Sequence, residues 1–211
     1  MSQVFTKLFT LSLIFLLSAQ CSGAAEKYKP GRHYEILSEP VLTRDNSKVE
    51  VVEFFWFGCG HCFSLEGLLN DWKKDLPNSV DFYRYPVIWN KMVETHAKIF
   101  FIAVALDKQE IIDGVFNAIH IQQKMLASDR EIIRFMKTFG VSEEQYNRLI
   151  NSFGLKNNIK KADLFGEKYG IKGVPTFIVN GKYAVSGNRE IGTKDLLDVV
   201  DFLIAKEKKI K

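Results

Sequence analysis

Apolar positions change rhythm twice along the chain. Up to residue 87 they come in short runs or strict alternation. From about 91 to 163 they recur at helical spacing, and from 173 the short runs return. In Glu50-Val-Val-Glu-Phe-Phe-Trp-Phe57, residues 51, 52 and 54–57 are β-branched or aromatic. So continuous an apolar run suits a strand buried on both faces of an α/β sheet. Gly58 stops it. Cys59-Gly-His-Cys62 follows, and then a helix whose apolar positions are 65, 68, 69 and 72.

Around this centre, His33–Leu37 forms a short strand candidate, and Pro40 with Thr43–Lys48 makes a polar connection. Pro77 and Asn78 break the helix, and Val80–Val87 alternates as a strand. The first part therefore reads β-β-α-β, with the cysteine pair at the C-terminal end of a strand, where open α/β sheets commonly place their sites. No strand pattern follows until residue 163. Ala97–Leu106 is an apolar helix, and Glu110–Ile121, Ser128–Phe139 and Ser142–Ser152 are amphipathic. Ser128…Glu131 and Ser142…Gln145 have capping-box spacing, and Gly140 fits a C-terminal stop. Asn157–Tyr169 is one more helix, ending at Gly170. Gly173–Val179 and Lys182–Ser186 are strands joined by Asn180-Gly181, a type I′ hairpin signal. Thr193–Lys206 closes the chain as an amphipathic helix. The basic end, Lys206–Lys211, reads as a solvated, frayed terminus.

With 211 residues, the chain suffices for one domain plus an insertion, and a hydrophobic fraction of 46% supports a full core. A net charge of +4 fixes no partner, and nothing resembles a nucleic-acid footprint. Residues 1–24 read as a signal peptide. Lys7 is its positive region, Leu8–Leu17 is too short to span a membrane, and small residues offer cleavage after Ala24 or Ala25. A lipoprotein acylated at Cys21 is disfavoured by the preceding Gln20; a retained anchor is the third option. Cleavage leaves Cys59 and Cys62 as the two cysteines of an exported protein. A loop so short constrains the unfolded chain very little, so the pair is better explained by reactivity than by stability.

The geometry assigns that reactivity. A cysteine in the first turn of a helix faces unpaired amides and the positive end of the dipole, and a cationic His61 adds charge. Cys59 is therefore the low-pKa nucleophile, and Cys62, one turn further in, the shielded resolving thiol. Only the reduced form contains the thiolate, so stabilising it makes the disulfide a better oxidant. Each pKa unit below ambient pH is about 1.4 kcal/mol, or about 30 mV for this two-electron couple; a few units would give roughly 100 mV. Glu53 stands out in its apolar run, since a carboxylate is rarely buried unpaired. Either it is solvated at a sheet edge or it tunes the thiolate, with Arg84 as a candidate partner. Glu66 reads as a second such group or as a solvated helix residue. His33, His96 and His120 show no partner pattern and read as surface or core residues. Trp56 and Phe57 read as part of an apolar collar around the site, with core packing an equal alternative for Trp56.

Cys-x-x-Cys at a strand-to-helix turn, then Val174-Pro-Thr176 and a hairpin plus helix, resembles a thioredoxin fold. The helical insertion narrows the resemblance to the DsbA family of periplasmic thiol:disulfide oxidoreductases, over about residues 27–208. The matching stretches are Val51–Phe55, Cys59-x-His-Cys62, Gly173-Val-Pro175 and Phe177-x-Val-Asn-Gly-Lys-Tyr183. The resemblance implies an α/β thioredoxin fold in two segments, 27–90 and 163–211, with an all-helical domain of residues 91–162 inserted. It implies a cis-proline at Pro175 beside the sulfurs, although X-Pro bonds are ordinarily trans. The Val174 backbone would then pair with an extended client, with Thr176 its neighbour. Glu53, Glu66 and Arg84 match charged positions beneath the site. Further implications are an exported monomer that needs no cofactor beyond its own disulfide, takes reduced exported proteins as clients, and is reoxidised by a DsbB-type membrane quinone oxidoreductase. One position departs. The best-known member has proline where this chain has Gly60, and Cys-Gly-His-Cys is the form of protein disulfide isomerases. Isomerase or reductase activity, and a metal-binding or chaperone module, are the competing readings. Two cysteines and one histidine fall short of the four ligands of a structural zinc site.

Overall fold

The structure, a computed structural model, describes residues 26–209. The segment read above as a signal peptide, Cys21 included, lies outside the described residues. Five strands form one mixed sheet. They are β1 (Glu35–Ile36), β2 (Val49–Phe55), β3 (Val80–Pro86), β4 (Thr176–Val179) and β5 (Tyr183–Ser186), in the order β1-β5-β4-β2-β3. β2 lies at the centre, parallel to β3 and antiparallel to β4, and all seven of its residues are buried. The expectation of a strand covered on both faces is met. The helices are α1 (Gly60–Lys74), α2 (Lys91–Ala105), α3 (Gln109–His120), α4 (Asp129–Lys137), α5 (Glu143–Ile150), α6 (Phe153–Lys168) and α7 (Leu196–Lys208). This is the α/β architecture expected, with helices alone between β3 and β4.

Alternation along β2 divides the core. Val51 packs with Leu65 and Leu69 of α1 and with Val200 and Leu203 of α7. Val52 and Phe54 point the other way, toward Val93, Tyr169 and Ile178. Phe55, Phe57 and Cys62 share a third cluster with Ile99 and Ile102 of α2, Val115 and Phe116 of α3, and Ile132. Helix α1 thus lies between the sheet and the helices that follow β3.

Several boundaries move, each for a local reason. The first strand shrinks from His33–Leu37 to Glu35–Ile36, which is all that pairs with β5. α2 starts at Lys91, six residues before its apolar stretch, because the Asn90 side chain accepts Val93 N–H. α6 starts at Phe153, four residues earlier than periodicity suggests, because Ser152 caps Leu155 N–H. It then runs unbroken past residue 162. Ser128 and Glu131 form the full capping box. Ser142 caps Gln145 N–H, with no return bond from the Gln145 side chain. At the hairpin, Asn180 and Gly181 both have positive φ. Gly181 also passes so close to Val41 that a Cβ would lie 1.9 Å from its carbonyl oxygen.

The C-terminal segment is a correction. Far from fraying at Lys206, α7 continues to Lys208, and Glu207 is only 1% exposed. Its carboxylate accepts from Lys182 Nζ (2.6 Å), Tyr183 OH (3.0 Å) and Asn180 Nδ2. The side chain most buried in that charged tail is the one that fixes the hairpin to α7.

Candidate active site

Cys59 is the N-cap of α1, in extended conformation, and its Sγ accepts the Cys62 amide at 3.4 Å. A capping sulfur in that position sees the orphan amides of the first turn, which reward a negative charge. Cys59 and Cys62 are both free thiols. The Cys59 thiol donates to the Val174 carbonyl at 3.3 Å.

The two sulfurs titrate apart. Cys59 is lowered to about 6, first by its hydrogen bond with Cys62, with further help from the Cys62 and His61 amides and the His61 charge, against partial burial. Cys62, 1% exposed, is pushed far up by burial, by its hydrogen bond to Cys59 and by the Glu53 charge. Cys59 is half-buried and acidic, and Cys62 is buried and held protonated. A pKa of about 6 is one unit below pH 7 and corresponds to about 30 mV there.

His61 is exposed beside the pair, with Nδ1 3.0 Å from Thr193 Oγ in the short 3-10 turn that precedes α7. Gly60 is the first residue of α1, and a Cβ there would meet nothing within 4 Å. The Val174–Pro175 bond is cis. Thr176 is buried at the start of β4, and its hydroxyl is spent on the Gly173 carbonyl (2.8 Å). His61, Val174, Pro175, Thr176 and Thr193 line one side of a groove of about 610 Å³ beside the sulfurs.

Beneath Cys62 lies a buried charge cluster. Arg84 forms two parallel hydrogen bonds to Glu66 (3.0 and 2.9 Å) and brings Nε to 2.5 Å from Glu53. That second contact is charge against charge but out of line, so neither Glu53 oxygen has a hydrogen-bond donor among the described residues. Burial raises the Glu53 carboxyl to about 7, with Arg84 pulling the other way. Arg84 is held above its ordinary value: burial works against its charge, but Glu53 and Glu66 outweigh it. The sheet-edge reading of Glu53 and the solvated reading of Glu66 are both corrected, because register puts Glu53 directly opposite Arg84 and α1 covers them. Glu53 was read as a charge near Cys59 and Cys62; its charge adds to the burial that pushes Cys62 up.

Sequence reasoning left several neighbours without a partner. Phe57 is core, not collar. Half-buried Trp56 donates its indole N–H to His96, and His120 meets the Phe57 carbonyl. Thr193 carried no local signal, since its partner lies 132 residues away. Glu50, 1% exposed, accepts the Arg44 amide at 3.0 Å; a second acid in the apolar run was the signal for it.

Comparisons agree with this geometry. The family described as DSBA-like thioredoxin domain matches residues 69–195, more than half of the chain. The thiol:disulfide interchange protein DsbA of Pseudomonas aeruginosa is 34% identical over 97% of this chain and 96% of its own length. That of Azotobacter vinelandii is 32% identical over 92% of each. The crystal structure of Pseudomonas aeruginosa DsbA superposes with a TM-score of 0.83 at 35% identity, over 88% of this chain and 97% of that one. A thiolate-favouring cap, a buried second sulfur and relatives matched end to end lead to one conclusion: the chain belongs to the DsbA family of thiol:disulfide interchange proteins.

Proposed function

We propose that the protein donates a Cys59–Cys62 disulfide to reduced exported proteins. The observation that carries this reading is the split between the sulfurs: one accessible and acidic, the other buried and held protonated. A client thiolate attacks Cys59 Sγ. The Cys59–Cys62 bond breaks, and Cys62 takes the electron pair and a proton. A second client thiolate then attacks the client sulfur of the mixed disulfide, and Cys59 leaves as the thiolate. The client loses two electrons and the pair gains them. A leaving thiol of low pKa departs faster, which favours release in the oxidising direction. Val174 offers backbone beside the sulfur for an extended client, as in strand addition, and Thr176 flanks it. His61 supplies positive charge, and Glu53, Glu66 and Arg84 set the electrostatics behind Cys62.

In the same reading, residues 1–24 direct export to the periplasm, and residues 91–162 are a helical insertion in a thioredoxin domain. The protein works as a monomer without a cofactor, and a DsbB-type membrane partner withdraws the electrons. The test uses the mature protein, oxidised, against a reduced multi-thiol client. Stoichiometric oxidation is expected. Cys59→Ser should abolish it, as should Cys62→Ser, which leaves no disulfide to donate. Strong reshuffling of a scrambled client with weak oxidation of a reduced one would reverse the assignment to isomerase. Oxidation surviving Cys59→Ser would remove the dithiol mechanism.

A further inference from the structure

Two histidines that this chemistry does not use are fastened to the residues just before Cys59. His96 of α2, 0% exposed, accepts the Trp56 indole N–H at Nδ1 (3.1 Å). An indole N–H only donates, so the proton of the ring sits on Nε2, which is 2.8 Å from the Met125 carbonyl. Both ring nitrogens are committed, and burial favours the neutral form. His120, the last residue of α3, brings Nε2 to 2.7 Å from the Phe57 carbonyl. A carbonyl only accepts, so the imidazole donates. The His120 ring also stacks flat on Phe63 of α1, at 4.7 Å between centroids and 6° between planes.

The segment between these contacts has no slack. Gly58 runs against the Trp56 ring, where a Cβ would lie 2.3 Å from the indole. The Cys59 amide donates to the Trp56 carbonyl at 3.0 Å. Displacing Trp56 or Phe57 therefore displaces Cys59.

We infer that His96 and His120 are positioning residues of the redox turn: from α2 and α3 they hold Trp56 and Phe57 so that Cys59 Sγ stays over the amides that open α1. This rests on the reading of Cys59 as the thiolate nucleophile. The Cys62 amide reaches Sγ at 3.4 Å, an ordinary N–H···S distance, and the thiolate keeps that donor only while the backbone holds Cys59 in place. Neither histidine touches the sulfur; each acts through the backbone that carries it.

The experiment titrates thiolate absorbance in the reduced mature protein and measures its redox equilibrium with glutathione at pH 7. His96→Leu and His120→Leu are each expected to raise the Cys59 pKa by at least half a unit, about a threefold loss of acidity. The oxidising equilibrium should fall about twofold to threefold with it. His120→Gln restores an N–H within reach of the Phe57 carbonyl and should return the titration toward wild type. Ile132→Val, in the same helical core, should lower stability and leave the titration in place. Folded leucine variants that titrate as wild type would overturn the inference, as would a shift of equal size in Ile132→Val. If His96→Leu does not fold, half-buried His120 decides the matter alone through its Leu and Gln variants. A wild-type Cys59 of ordinary acidity would instead strike the underlying assignment, which is a different result.

Discussion

Cys59 and Cys62 together make a couple whose proton count changes in the physiological range. Below about pH 6 the reduced pair carries two protons; above it Cys59 has lost its own, while Cys62 keeps its own. Each proton taken up with two electrons contributes about 30 mV per pH unit. The reduction potential should therefore fall by about 60 mV per unit below pH 6 and by about 30 mV per unit above it. A glutathione titration from pH 5 to 8 reads this directly. A single steep slope across that range would mean an unactivated Cys59, and a potential near the thioredoxin value of about −270 mV would deny the pair its oxidising character. At this scale the sequence was informative wherever chemistry depends on adjacent residues. The Cys-x-x-Cys spacing, the helix start and the intervening histidine all lie within one turn. Glu53 was suspicious because it interrupts an apolar run, but its neighbours were not readable. That Arg84 spends its two parallel bonds on Glu66 and meets Glu53 out of line is a matter of side-chain geometry across two strands and a helix.

Among the elements, the hairpin and α7 show how a polar contact can fix packing. Hydrogen bonds from Lys182, Asn180 and Tyr183 hold the Glu207 carboxyl below its ordinary value, although burial pushes it the other way. A depressed carboxyl contributes stability that is present above its unfolded pKa, about 4.3, and is lost as the pH falls below it. Removing the carboxylate leaves buried donors without an acceptor, at about 1–3 kcal/mol for each group so stranded. Glu207→Ala is thus expected to lower the urea midpoint by an amount worth about 2–4 kcal/mol, with disulfide donation per folded molecule unchanged. Equal stability of the two proteins at pH 7 would show that the clamp contributes nothing. Helix existence was readable from periodicity, and caps at Ser128 and Ser142 from spacing. The starts of α2 and α6 were not, because Asn90 and Ser152 cap their helices ahead of the apolar periodicity.

For the molecule as a whole, the redox state should show up in stability. In the reduced protein the Cys59 pKa is about 6 when folded, against about 8.5 in an unfolded chain. Between those values the unfolded state binds more protons, so the stability of the reduced form rises with pH from about 6 to 8.5. The disulfide form has no such group. The melting temperature of the reduced form minus that of the oxidised form should therefore grow from pH 5.5 to pH 8.5. A difference that stays flat or shrinks would contradict the assigned thiolate. Glu53, raised to about 7 by burial, acts with the opposite sign between its unfolded value and 7. It is present in both redox forms, so to first order it drops out of the difference.

By itself, the sequence determined the order and kind of the elements and the thiol pair at a strand-to-helix turn. It also marked the interruption of the sheet by helices. These follow from near-neighbour physics: side-chain period, turn residues and the exposed amides of a helix start. Only tertiary structure decided which charges meet under Cys62, that Glu207 is buried, that Thr193 reaches His61, and that His96 and His120 grip the turn before Cys59. Those contacts join residues 18 to 132 positions apart, and no local pattern encodes a distance that only the packed sheet and helices close.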